Sequence, residues 1–256
     1  MLRYSACAAS KPGSKHKFLE ENNQDAYALR RLDDGVVMAV SDGAGSRPHS
    51  RIGADLVSSM AAAFLTGVEW AAEFGPQAAG FLAEARAALA LRAEEKGLTA
   101  RDLACTVLAA VATSRGFRAL QIGDGFIVTR SEASAPYRLL FPIVKGEHAN
   151  ETVFVTQSNA AEYMQTCEDD LPPHFICLSS DGVERQAIKL RESEPHPPFF
   201  EYLSKVAANA AGGGYLEQFL AMPSLDEVTD DDRTLVCAIR ADADESAAAK
   251  VPGESG

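Results

Sequence analysis

A basic excess is the first thing this chain lacks. Its 256 residues carry 36 Asp and Glu against 24 Lys and Arg, a formal net charge of −12. A nucleic-acid binder needs a cationic face to displace counterions from phosphate, and anionic lipid makes the same demand. Neither nucleic acid nor a membrane is therefore an expected partner. Long apolar runs are missing too: the uncharged stretches Leu56–Val68 and Leu103–Ser114 reach 13 and 12 residues, short of the roughly 18–20 that span a bilayer. Met1–Ser10 has small residues but no hydrophobic region of the signal-peptide kind. Cysteine is sparse and unpaired. None of Cys7, Cys105, Cys167, Cys177 and Cys237 stands in CxxC spacing, which reads as reduced thiols and a cytoplasmic setting. None has Arg six residues later, as the phosphate loop of a cysteine phosphatase requires. The sequence also contains no GxxxxGK[ST], GxGxxG or HExxH, so nucleotide-loop and zinc-protease chemistry lack support.

What is present is a globular composition, 46% hydrophobic and 23% charged. Strand patterns are expected over Asp25–Leu32 and Val36–Ser41, joined by the turn Asp33-Asp34-Gly35. Helices are expected over Ile52–Trp70 and Gln77–Lys96, whose apolar residues recur at helical spacing. Strands return at Ala104–Thr113, Phe117–Ile122, Phe126–Arg130, Tyr137–Phe141, Thr152–Thr156 and Phe175–Ser179. Helical segments Phe199–Ala211 and Tyr215–Ala221 flank Gly212-Gly213-Gly214, read as a helix break, and Arg233–Arg240 is a last strand. Two batches of strands with helices between them predict an antiparallel α+β protein. One domain over 1–240 and a disordered tail over 241–256 are expected.

Acidic residues recur at the ends of these strands. Asp25 opens the first. Asp42-Gly43 and Asp181-Gly182 each follow a long apolar run ending in Ser, Asp124 sits in Gly123-Asp124-Gly125, and Asp231 lies in an Asp triplet before the last strand. A carboxylate at the end of a buried strand is held by a stiff element, and a following glycine lets the backbone carbonyl approach a ligand. Hard Mg²⁺ or Mn²⁺ takes oxygen ligands of this kind. Two such ions about 3.5–4 Å apart can activate one water for in-line attack on phosphorus. A single Asp-Gly after a strand is most often a turn. Spacing by itself leaves both the shared metal site and the set of turns open.

Taken in order across residues 8–240, these segments resemble the metal-dependent protein phosphatases of type 2C, in a divergent bacterial branch. The resemblance rests on Asn23-Gln24-Asp25-Ala26, Val40-Ser41-Asp42-Gly43-Ala44-Gly45, Cys105-Thr106-Val107-Leu108, Ile122-Gly123-Asp124-Gly125, Ser180-Asp181-Gly182-Val183 and Asp231-Asp232-Arg233-Thr234. It implies a four-layer αββα sandwich of two antiparallel sheets flanked by helices. It further implies two Mn²⁺ or Mg²⁺ ions, with Asp42 bridging them, the Gly43 carbonyl binding one, and Asp181 and Asp231 completing the other. Asp25 would order metal-bound water, and Asp124 with Asp181 would hold a weaker third ion. The implied reaction is hydrolysis of phosphoserine or phosphothreonine by a metal-bridging hydroxide, with no phosphoenzyme. A phosphoprotein substrate and the Ser/Thr kinase opposing it are the implied partners, and a monomer is the simplest oligomeric expectation.

The sequence departs from the family in three places. Glu20 stands where many members carry a phosphate-binding Arg, Ala44 where many carry His, and Arg185 where an acidic third-ion ligand is common. His16, Lys17, Arg47 and His49 adjoin the first two acidic motifs and are the candidates to replace the missing phosphate contacts. The altered residues also leave room for a second reading, a catalytically weak metal-binding module that senses a phosphoprotein.

Overall fold

The computed structural model describes residues 1–19, 22–143, 152–189 and 191–241. In chain order the elements are β1 (Tyr4–Lys11), α1 (Ser14–Leu19), β2 (Ala26–Leu32), β3 (Gly35–Ser41), α2 (Ser50–Thr66), α3 (Phe74–Glu95), β4 (Val107–Thr113), β5 (Gly116–Ile122), β6 (Phe126–Arg130), β7 (Arg138–Leu139), β8 (Gln165–Asp169), β9 (Phe175–Ser179), α4 (Glu184–Ala187), β10 (Ile188–Lys189), β11 (Glu194–Pro195), α5 (Pro197–Ala208), α6 (Gly212–Leu220), α7 (Pro223–Asp226) and β12 (Arg233–Arg240). Two five-stranded antiparallel sheets form, ordered β1-β12-β9-β6-β7 and β2-β3-β4-β5-β8.

Alternation along β3 explains how four layers arise from one apolar run. Val36, Met38 and Val40 join Leu108, Ile176, Leu178 and Val236 in a core between the sheets. Val37 and Ala39 face the other way, into a core with Val57, Ala61 and Leu65 of α2 and Phe81, Leu82 and Leu89 of α3. A third core joins Phe126, Cys177, Leu235 and Cys237 to Phe200 and Leu203 of α5 and Leu216 of α6. Strands buried on both faces read as continuous apolar runs rather than alternating ones. The architecture is the expected αββα sandwich.

Helix α2 meets the turn at Ala100–Leu103 through Gly53, where an added Cβ would lie 2.0 Å from the Leu103 carbonyl oxygen. In an exposed helix Gly→Ala gains about 1 kcal/mol, but here the backbones must part. Gly53→Ala is expected to destabilise by ~1–3 kcal/mol, the usual cost of overpacking. Thermal melting should therefore fall by several degrees; a rise in melting temperature would show that this contact yields freely.

Several elements differ from the sequence reading. Strand β1 was not expected, because Tyr-Ser-Ala-Cys-Ala-Ala-Ser-Lys has little strand propensity. Its small residues instead permit close packing of α6: a Cβ on Gly212 would come within 3.2 Å of the Cys7 side chain. Strand β8 is polar because it forms the outer edge of its sheet. Helix α1 was likewise not expected. Only Arg138–Leu139 of Tyr137–Phe141 pairs as a strand. Thr152–Thr156 is no strand, although Val153 and Val155 are buried and the Val155 N–H donates to the Cys105 carbonyl at 2.8 Å. Gly212-Gly213-Gly214 begins α6 rather than interrupting a helix. Of the tail 241–256, all but Ala241 lies outside the described residues, as does Glu20.

Candidate metal centre

Strand ends converge at one edge of the sandwich. Asp42 follows β3, Asp124 joins β5 to β6, Asp181 follows β9, and Asp231 and Asp232 precede β12. With His16, Gly43, Ala44, Gly45, Thr152 and Phe154, these residues line a cavity of about 130 Å³. Larger clefts of about 830 and 540 Å³ surround Arg138 near the other end of β6, but neither collects such a set of hard oxygen donors.

Carboxylate oxygens of Asp42, Asp124 and Asp181 all lie within 4.8 Å of one another. Asp42 is fixed through its backbone: its N–H donates to Thr106 Oγ1 at 2.9 Å and its carbonyl accepts from the Thr106 N–H at 2.8 Å. Gly43 bridges to Cys105 and approaches Gln24 so closely that a Cβ would sit 2.7 Å from the Gln24 carbonyl oxygen. Gly123, at φ +116°, makes the turn that presents Asp124, whose Oδ2 accepts from Thr152 Oγ1.

Asp25 lies beneath this set, fully buried. Its Oδ2 accepts from Ser180 Oγ and Thr234 Oγ1, each at 2.7 Å, while Oδ1 is buried without a hydrogen-bond partner. Burial pushes the Asp25 carboxyl up to about 6, with Asp232 adding to the shift. Burial, then the neighbouring Asp124 and Asp231, raise Asp181 to about 8. Asp42 is raised well above the usual carboxylate range by burial and by Asp25, Asp181 and Asp124. Without a counter-charge these carboxyls resist ionisation together. Clustered oxygen donors of this kind fit a hard divalent cation.

Of the four candidate phosphate contacts, only His16 enters the cavity. Lys17 Nζ lies 3.4 Å from Asp226 Oδ2, and Arg47 Nη1 lies 4.0 Å from Asp102 Oδ1. His49 is exposed just before α2. Arg185 turns to the Val228 carbonyl at 3.2 Å. The sequence reading passed over Asp232, which accepts from the Gly13 N–H at 2.7 Å, His16 Nδ1 at 2.8 Å and the Gln24 N–H at 2.5 Å. The Asp triplet was the available signal, but spacing does not say which carboxylate turns inward.

The architecture is shared with several proteins of known structure. The catalytic domain of the serine/threonine phosphatase PstP, in complex with two manganese ions, superposes with a TM-score of 0.65 at 15% identity, covering 94% of this chain and 100% of that one. Stp1 from Staphylococcus aureus gives 0.60 at 13% identity, covering 93% and 95%. RsbX in complex with magnesium gives 0.57 at 12%, covering 94% and 100%. In sequence, the chain is 32% identical over 248 residues to serine/threonine-protein phosphatase 3 of Escherichia coli K12, covering 91% of this chain and 97% of that relative. Residues 12–221 match the protein phosphatase 2C family. The chain belongs to the protein phosphatase 2C family and is a protein phosphatase, a hydrolase.

Proposed function

We propose that this protein is a Mn²⁺- or Mg²⁺-dependent phosphatase of phosphoserine and phosphothreonine in proteins. The observation that carries the reading is the convergence of Asp42, Asp124 and Asp181 oxygens within 4.8 Å at the mouths of separate strands. In this reading Asp42, the Gly43 carbonyl, Asp181 and Asp231 hold two cations, and Asp124 with Asp181 holds a weaker third. When bound, such ions lower the pKa of coordinated water and offset charge on a phosphoryl group. Asp25, anchored through Oδ2 by Ser180 and Thr234 and neighbouring Asp42, would order cation-bound water from beneath the cavity.

The phosphoryl group is transferred to water without a phosphoenzyme. Against the cysteine route to a phosphoenzyme, none of the described residues lining the cavity is a cysteine, and the Cys7, Cys105 and Cys237 thiols are pushed up by burial, away from nucleophilic thiolate. The substrate is a phosphorylated protein, and a Ser/Thr kinase would supply it. On its cysteine usage we place the protein in a reducing, cytoplasmic setting. No helix among the described residues is long and apolar enough to cross a membrane.

The test is hydrolysis of phosphoserine and phosphothreonine peptides with Mn²⁺, with Mg²⁺ and with EDTA. Turnover should require the cation and vanish with the chelator. A folded protein that binds Mn²⁺ yet releases no phosphate would favour the sensing module instead.

A further inference from the structure

One polar side chain lies where packing alone has no use for it. Along β5, Leu120 and Ile122 enter the core under α2 and α3, while Phe117 and Ala119 enter the core between the sheets. Strand alternation therefore sends Gln121 into the inter-sheet core as well, opposite Leu108. The residue is fully buried, and its Oε1 has no hydrogen-bond partner among the described residues. An amide oxygen stranded in that way is costly, and an apolar residue of the same length would avoid the cost.

What the amide does make is a clamp. Nε2 donates to the Gly125 carbonyl at 2.9 Å and, at a longer 3.5 Å, to the Gly123 carbonyl. Those two carbonyls flank Asp124. Both are acceptors, so the nitrogen and not the oxygen faces them. The turn needs an outside grip, because a glycine on each side of Asp124 leaves its backbone little stiffness of its own. Asp42, by contrast, is tied at both of its backbone groups to Thr106. From the other direction Thr152 Oγ1 donates to Asp124 Oδ2. Gln121 thus sets the backbone that carries Asp124, and Thr152 sets the carboxylate.

We propose that Gln121 is a positioning residue for Asp124, kept in the core because it fixes a ligand of the weaker cation step. This rests on the metal-dependent phosphatase reading above. A ligand held in place beforehand loses little freedom when a cation binds, and substituting such a supporting group costs about 10–100-fold in metal affinity. Packing gains nothing from the amide, so the two consequences of removing it separate. Cation affinity falls. The metal-free fold exchanges one stranded oxygen for two carbonyls short of a donor and keeps nearly the same stability.

The experiment compares Gln121→Met and Gln121→Leu with wild type, alone and in an Asp124→Asn background. Mn²⁺ binding is read by calorimetry, stability by melting in EDTA, and turnover by Mn²⁺ titration on a phosphoserine peptide. The weaker Mn²⁺ step should lose affinity about tenfold or more, and half-maximal turnover should need correspondingly more Mn²⁺. Melting in EDTA should stay within about 5 °C of wild type. In the Asp124→Asn background either substitution should leave the remaining Mn²⁺ binding unchanged, since Gln121 acts only through that carboxylate. Unaltered Mn²⁺ binding overturns the proposal. So does an equal loss of affinity in the Asp124→Asn background, or a melting temperature that drops well beyond this range. Failure of both variants to fold overturns it too, because the amide would then serve the core. A wild type that binds Mn²⁺ more tightly than the variants yet releases no phosphate refutes the phosphatase reading and leaves the clamp standing. An active wild type whose Mn²⁺ binding the variants match loses only the clamp, and a wild type that binds no Mn²⁺ overturns both.

Discussion

Asp181→Asn is expected to lower Mn²⁺-dependent peptide turnover by ~10²–10³-fold, corresponding to several kcal/mol of lost charge stabilisation at the phosphoryl group. The substitution keeps the shape of the side chain and removes one anionic oxygen from the cluster shared with Asp42 and Asp124. Cation affinity should fall with it. Stability should move the other way. Asp181 is held at about 8 by burial and by Asp124 and Asp231, so above that pH its charge strains the metal-free fold. Without cation at pH 9, Asp181→Asn should melt higher than wild type, by a few degrees for each kcal/mol relieved. Phosphate release and calorimetric melting in EDTA read the two effects. Wild-type turnover in the variant would remove Asp181 from the site.

The metal-free protein should also lose stability as pH rises. The sign follows from the direction of the shifts. Asp25 goes up to about 6, Asp181 to about 8, and Asp42 well above the usual carboxylate range. A carboxyl that holds its proton more tightly when folded contributes stability fully present below its unfolded pKa, near 3.9. That contribution is lost as pH rises through the folded value. Between pH 5 and pH 9, melting in EDTA should therefore drop, by roughly 5 °C or more for a chain of this size. Cation reverses the trend, since it binds the ionised cluster. At about 100 times its dissociation constant it adds about 2.7 kcal/mol, and higher pH strengthens the effect. If melting in EDTA stayed flat across this range, or Mn²⁺ failed to raise it at pH 8, the carboxylates would not be gathered as described.

Why some of this was legible in sequence is physical. Val36–Ser41 and Phe175–Ser179 are buried on both faces, so their apolar runs were bound to stand out, and the Ser-Asp-Gly closing each run marked a strand end. Other parts carried no local signal. β1 is composed of small residues because α6 lies against it, a requirement imposed by a helix two hundred residues away. Lys17 and Arg47 sit beside acidic motifs in sequence, yet their charges pair with Asp226 and Asp102. Adjacency along the chain does not set direction in space.

The residue order alone determined the apolar strands, the two central helices, the acid at each strand end and hence the class of donor atom available. Those features depend on local periodicity and on side-chain chemistry, which the chain carries wherever it goes. Only the packed sheets decided which acids meet. Asp42, Asp124 and Asp181 are separated by 82 and 57 residues and share one cavity because β3, β5 and β9 end at the same edge. The pairing of His16 with Asp232 likewise spans 216 positions. Contacts of that range come from sheet register and from the close approach at Gly13, neither of which is written in any short window of the chain.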